Sequence, residues 1–401
     1  MKRALPVCVV GGGPAGALCA AELAAAGHAV ALVDEHLAWE KPCGGGLTDK
    51  ALQHFPFLRE AAALHNPVSE CELISPAGRR LLLRLDRTIA IFSRHTLNGL
   101  LLERARRAGA VLVQERAVGL NAGRDGWRVR LRGGAQLAAR RVVVAAGARN
   151  PFGSASTPLP SPMAAGDWMA TAGYYLGLEH LPWPRQRMAI RFLPGLEGYI
   201  WSFPRGDHAS VGICGKLGDW PTARLRRTLE QILEQWGIDW SGGRFYAHLL
   251  PAPSPQGLRG AVWAGRDPHP WALVGDAAGL VDPITGEGLY YALRSAELLA
   301  HAITAHEAHA ETAYSTALRE QVAPELLAAG EIANRFYHGR FLRAPVLERM
   351  TQFGQRCPQF RGLLCDLFSG AQGYCGLRRR LYRQLAPSLW HAALPFGARA
   401  G

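Results

Sequence analysis

Residues 6–34 read PVCVVGGGPAGALCAAELAAAGHAVALVD, and few folds can absorb that order of parts. An apolar stretch is followed by a Gly-rich turn, an Ala-rich helical segment closed by Gly27, and a second apolar stretch ending in an acid. This is a βαβ unit, which implies an α/β fold with a parallel sheet. Within it Gly11, Gly13 and Gly16 have the spacing Gly-x-Gly-x-x-Gly. The first suits a tight turn, the second lets a pyrophosphate approach the backbone, and the third lets helix pack on strand. The helix N-terminus adds N–H groups and partial positive charge for the phosphates. Asp34 lies 21 residues beyond Gly13, where a carboxylate can accept from ribose hydroxyls. An acid there, and not an arginine, speaks against a 2′-phosphate, so the dinucleotide is FAD or NAD and not NADP.

Two later segments choose between them. RRVVVAAGARN at 140–150 reads as a buried strand returning to the sheet, and WALVGDAAGLVDPITGEGLYYAL at 271–293 as another strand, an acidic turn and a second Gly-rich helix start. Two such turns more than two hundred residues apart imply a cofactor gripped at both ends, which fits FAD. Asp276 is then placed for a ribityl hydroxyl, and the N–H groups of Gly286, Glu287 and Gly288 for the pyrimidine edge of the flavin ring, where reduction develops negative charge.

Composition narrows the function classes. The net charge of +13 comes from arginine, since the only lysines are Lys2, Lys41, Lys50 and Lys216. Such a surface favours anionic partners. The arginines are scattered and accompany no zinc-finger spacing or RNA-binding aromatic motif, so no nucleic-acid role is expected. The eight cysteines form no CxxC pair, so neither a structural zinc nor a redox dithiol is expected, and no metal is assigned. The basic, apolar N-terminus resembles a secretory signal, but GGGPAG has no place in the centre of one. No run reaches the ~18–20 apolar residues that a membrane span requires.

KPCGGGLT at 41–48 sets one thiol against three glycines. Taken with FSRHTLNGLLLERARRAGA at 92–110, GYIWSFPRGDHASVGIC at 198–214 and LCDLFSGAQGYCGLRRRL at 364–381, it makes nearly the whole chain resemble the geranylgeranyl reductase family, FAD-dependent oxidoreductases related to p-hydroxybenzoate hydroxylase. The resemblance implies a Rossmann-like FAD-binding domain, a β-rich substrate domain and a C-terminal helical region. It implies saturation of isolated C=C bonds in a polyprenyl lipid, by hydride transfer from flavin plus protonation. It places Arg94 on FAD and Cys43 in a loop facing the ring, and extends the cofactor set over Pro14, Ala15, Glu35, Gly44, Gly45, Val118, Gly147 and Leu289. Gly45, Tyr199, Trp201, Phe203 and Pro204 fall to the substrate, and strand alternation puts the three rings on one face. Cys43 is the candidate proton donor, since an ordinary thiol is mostly protonated at neutral pH; shaping the pocket is its other reading. The alternatives are an aromatic monooxygenase, a halogenase, and an FAD-binding protein without catalysis.

The expected domains are 1–155 with 260–305 for FAD, 156–259 for substrate, and 306–401 as helices, with 50–80 partly joining the substrate domain. Pro/Gly-rich joints at 153–163 and 251–257 bracket the insertion. Arg378, Arg379, Arg380 and Arg383 offer a basic run near the C-terminus. No second nicotinamide-binding unit is evident, so the electron donor stays open among NADPH, NADH and ferredoxin. A cytoplasmic monomer touching the inner face of a membrane is the expected setting.

Overall fold

A computed structural model describes residues 5–152, 159, 163, 164, 166–218 and 220–383. Most of the joint at 153–163, along with Lys2, lies outside the described residues. The chain divides into two compact units, one of residues 1–43, 93–169 and 248–330, the other of 44–92, 170–247 and 331–401.

In the first unit the strand Leu5–Val10 pairs in parallel with Val30–Val33 on one side and Gln136–Val144 on the other. The sheet continues through Val111–Val113 beyond the former and Trp271–Leu273 beyond the latter, both parallel. Val30 to Val33 are all buried, as strands covered on both faces require. Helices Pro14–Ala25, Arg94–Arg107 and Leu289–Ala305 supply cover. The second of these starts where Ser93 Oγ accepts from the Thr96 N–H at 3.1 Å, a cap whose loss costs about 1 kcal/mol.

The second unit is built on a largely antiparallel sheet ordered Trp168–Leu176, Ala209–Lys216, Gly198–Pro204, Arg187–Arg191, His65–Ile74, Arg80–Phe92 and Gly46–Leu47, with Arg244–Pro251 at the near edge. Its two faces bury different cores. Helix Thr222–Gln235 places Leu225, Leu229, Ile232 and Leu233 at helical spacing on Ile200, Val211 and Ile213. Helices Val346–Arg356 and Pro358–Ser369 cover Cys71, Leu73, Leu83 and Ile91 with Met350, Phe353, Leu363 and Leu364. Each such side chain contributes roughly 1.5–3 kcal/mol when fully buried.

Two local expectations differ from the structure. Residues 80–92, counted above with the FAD-binding range, form the strand Arg80–Phe92, which pairs with His65–Ile74 in the second sheet. The chain after Leu293 is not helical throughout: a hairpin of Arg340–Phe341 and Ala344–Pro345 interrupts it.

Candidate active site

The three fingerprint glycines meet three different surroundings. Gly11 has φ +108°, and a Cβ there would lie 2.3 Å from the Ala145 carbonyl oxygen. A Cβ on Gly16 would fall 1.8 Å from the Gly11 oxygen, so the helix sits directly against the turn. Around Gly13, the residue capping helix Pro14–Ala25, a Cβ would meet nothing within 4 Å. A bare backbone facing open space at a helix N-terminus is the cradle that a dinucleotide pyrophosphate fits. Pro14 occupies the first helical position, where its missing N–H costs nothing, and Ala15 is buried behind it.

Asp34 ends the second strand and braces this turn. One carboxylate oxygen accepts from the Gly12 N–H at 2.6 Å, the other from the N–H groups of His36 and Leu37 at 2.8 and 2.9 Å. A carboxylate has about four acceptor sites, so capacity for a hydroxyl remains. Beside it Glu35 is held by Arg132 at 2.5 Å and Arg116 at 3.6 Å. Val118 is exposed on the strand Ala117–Ala122.

A charged cluster that sequence reasoning missed gathers around Asp276. Lys41 Nζ donates to Asp276 Oδ2 at 3.0 Å, across 235 residues of chain. The same ammonium lies where a Cβ on Gly147, at φ +72°, would approach it to 3.3 Å, and Asp276 Oδ1 stands 3.2 Å from the Cβ position of Gly288. Gly288 opens helix Leu289–Ala305, so the carboxylate sits at its N-terminal end. Burial alone would raise the Asp276 carboxyl, but Lys41, then Arg94 and His248, bring it below the ordinary carboxylate range. Arg94 is 3% exposed, donates Nη2 to Asn98 Oδ1 at 3.3 Å, and leaves Nε buried without an acceptor. An orphaned buried guanidinium N–H beside an acidic turn fits a missing polar ligand such as a cofactor oxygen. Glu40 fixes the start of that helix by accepting from the N–H groups of Arg94 and His95.

His248 completes the cluster, with Nδ1–H donating to the Leu249 carbonyl. Burial first, and Lys41 second, push its imidazole down to about 4. Since the unfolded value lies near 6.5, the unfolded chain binds more protons between the two. Stability is therefore fully present above about pH 6.5 and declines toward pH 4, by no more than about 3 kcal/mol. Thermal melts over this range should fall on acidification for the parent and stay flatter for His248→Gln.

The turn after Asp276 corrects one expectation. The Gly286 N–H donates to the Asp282 carbonyl at 2.9 Å and the Glu287 N–H to Thr285 Oγ1 at 3.2 Å. Two of the three amides assigned to the flavin edge are thus spent inside a loop that Asp282 closes on itself, its Oδ1 accepting from Ile284 and Thr285.

The Cys-Gly loop ends the first unit and begins the second. Cys43 is a partly exposed thiol outside any disulfide. In the second unit a Cβ on Gly44 would lie 2.7 Å from the Phe203 ring, and one on Gly45, at φ +87°, would lie 2.1 Å from the Phe92 oxygen. Gly44 therefore packs directly against the Phe203 ring. Tyr199 and Phe203 pack toward the core under the C-terminal helices, while Ile200 faces the opposite one, as alternation requires. Tyr199 meets Trp201 edge-on at 6.1 Å, Trp201 Nε1 donates to Ser210 Oγ at 3.2 Å, and Pro204 closes the strand. Among the described residues no group of three or more His, Cys, Asp or Glu could hold a metal ion, and no helix is long and apolar enough to cross a membrane.

Comparison with known proteins adds to this geometry. Residues 5–160 match the family model described as pyridine nucleotide-disulphide oxidoreductase. A geranylgeranyl diphosphate reductase of Rhodobacter capsulatus is 32% identical over 310 residues, covering 71% of each chain. A menaquinone reductase of Mycolicibacterium smegmatis is 27% identical over 371 residues, covering 86% of this chain and 87% of its own. Among solved structures, a geranylgeranyl bacteriochlorophyll reductase-like protein of Thermoplasma acidophilum shares the fold with a TM-score of 0.75 at 20% identity, over 95% of this chain and 99% of the other.

Proposed function

The chain belongs to the geranylgeranyl reductase family of FAD-dependent oxidoreductases, and from that premise we propose that it saturates isolated carbon–carbon double bonds in the polyprenyl chain of a lipid. Bound FAD supplies the hydride for this chemistry. The turn 11–16 and the first turn of its helix hold the pyrophosphate, Asp34 and Glu35 take the adenosine ribose, Arg94 offers its free Nε–H, and Asp276 takes a ribityl hydroxyl. Lys41 keeps Asp276 ionised as an acceptor. The first unit is in this reading the FAD domain and the second the substrate domain.

An isolated alkene has no electron-withdrawing neighbour, so a proton must reach one carbon as hydride reaches the other. Cys43 is the proton donor in this reading, acting in concert with hydride delivery because a thiol is too weak an acid to protonate an alkene alone. The observation that supports a flat, apolar substrate most is the seating of Gly44 on the Phe203 ring, one residue after that thiol, beside Tyr199 and Trp201. Aromatic rings offer an isoprenoid chain broad apolar contact.

Electrons come from a nicotinamide nucleotide or reduced ferredoxin, and anaerobic mixing with NADPH, NADH and reduced ferredoxin in turn identifies the donor by flavin bleaching. With that donor, geranylgeranyl diphosphate and a menaquinone are offered as substrates and the products weighed. A gain of two hydrogens per double bond is expected. A gain of one oxygen would replace the reading with a monooxygenase.

A further inference from the structure

The hairpin at 340–345 holds a conformation that its own residues resist. Phe341 pairs with Ala344, so the loop is the two residues Leu342 and Arg343. Both have positive φ, +48° and +65°, in a two-residue turn that usually recruits Asn-Gly. Left-handed backbone crowds the Cβ against a carbonyl, and leucine has no side-chain hydrogen bond to offset that. The turn is nonetheless braced. Arg349 donates Nε to the Phe341 carbonyl at 3.3 Å and Nη2 to that of Leu342 at 2.6 Å, and Arg340 Nη2 donates to the Arg343 carbonyl at 2.5 Å. Phe341 stands edge-on to the core residue Phe353 at 6.2 Å. This bracing keeps Leu342 47% exposed, with exposed Arg340 and Arg343 on either side.

We infer that this hairpin tip docks on an anionic lipid bilayer, with Leu342 entering the acyl boundary while Arg340 and Arg343 meet lipid phosphates. An apolar tip between guanidinium groups complements a surface that is anionic outside and hydrocarbon beneath. On the helix that follows, the Glu348 carboxylate accepts from Ser75 Oγ and the Ala77 N–H, and among the described residues no ion pair joins it to Arg340 or Arg343. A second copy of the same tip would set arginine against arginine. The net charge of +13 acts in the same direction at longer range. A prenyl-lipid enzyme has reason to meet a membrane, and to that extent the inference rests on the proposed function; vesicle binding needs no turnover, so either can fail alone.

The test is co-sedimentation of the flavin-loaded full chain with phosphatidylglycerol-containing vesicles, compared with phosphatidylcholine alone. The parent should bind the anionic vesicles and release them as salt rises. Leu342→Asn with Arg343→Asn keeps the turn, because asparagine tolerates left-handed backbone, so its melting temperature should hold or rise. Its vesicle binding should fall by on the order of tenfold or more. Val262→Ser, which removes an apolar side chain 49% exposed elsewhere, should bind as the parent does. Three outcomes overturn the inference: no preference of the parent for anionic vesicles, parental binding by the double variant, or self-association without vesicles that the double variant abolishes.

Discussion

Gly16→Ala is expected to purify without bound flavin, whereas Gly13→Ala should fold normally and bind FAD more weakly. At Gly16 a methyl carbon would stand 1.8 Å from the Gly11 oxygen, well inside contact distance, so helix and turn must separate. That separation moves both the pyrophosphate cradle and the strand end it grows from. A loss of about a hundredfold or more in FAD affinity follows, equal to roughly 2.7 kcal/mol. At Gly13 the chain itself leaves the methyl room, and φ of −68° suits alanine. Its apoprotein should melt with the parent, while about tenfold in affinity is lost because the methyl stands where a phosphate comes closest. Flavin absorbance after purification, FAD titration of the apoproteins and their melting temperatures check both. Parental FAD affinity in Gly13→Ala would remove the pyrophosphate from that flank.

Cys43→Ala should keep its flavin and accept electrons at the parental rate, yet lose alkene saturation by on the order of a hundredfold to ten-thousandfold, the usual worth of a general acid. The cofactor grip proposed above runs through the glycine turn and the Asp276 cluster, so removing the thiol is expected to leave the flavin bound. Serine is a poorer acid of similar size, so Cys43→Ser should resemble alanine if the proton is what counts and the parent if only shape counts. Separate stopped-flow measurement of flavin reduction and of reoxidation by substrate distinguishes the two half-reactions. Unchanged reoxidation in both variants would remove Cys43 from the chemistry.

The parts of the site that were legible in the sequence are those written locally. The strand, turn and helix of 6–34 lie within one stretch, and each glycine there answers a contact a few residues away. The aromatic alternation of Tyr199, Trp201 and Phe203 was readable for the same reason. What escaped is encoded across distance. Nothing near Lys41 announces Asp276, and nothing near Arg94 says that its guanidinium will be buried with one N–H unanswered. The alternating pattern of RLLLRLDRTIAIF, at Arg80–Phe92, is compatible with a strand but cannot name its partner, which the fold supplies in His65–Ile74. The hairpin at 340–345 was invisible because its turn breaks the rule used to find turns, with leucine and arginine where glycine or asparagine is the signal.

The three-segment build of each unit has a consequence for how the polypeptide must be made. The strand Trp271–Leu273 that flanks Gln136–Val144, and the helix Leu289–Ala305 that packs on Pro14–Ala25, leave the ribosome more than two hundred residues after the fingerprint turn. Until then an incomplete parallel sheet with an open edge must wait through the synthesis of two segments belonging to the other unit. Contacts of such sequence separation form slowly. FAD, which by the reading above touches the earliest and the latest of these segments, would act as the clasp that closes the assembly, so flavin supply during expression should govern how much folded protein is recovered.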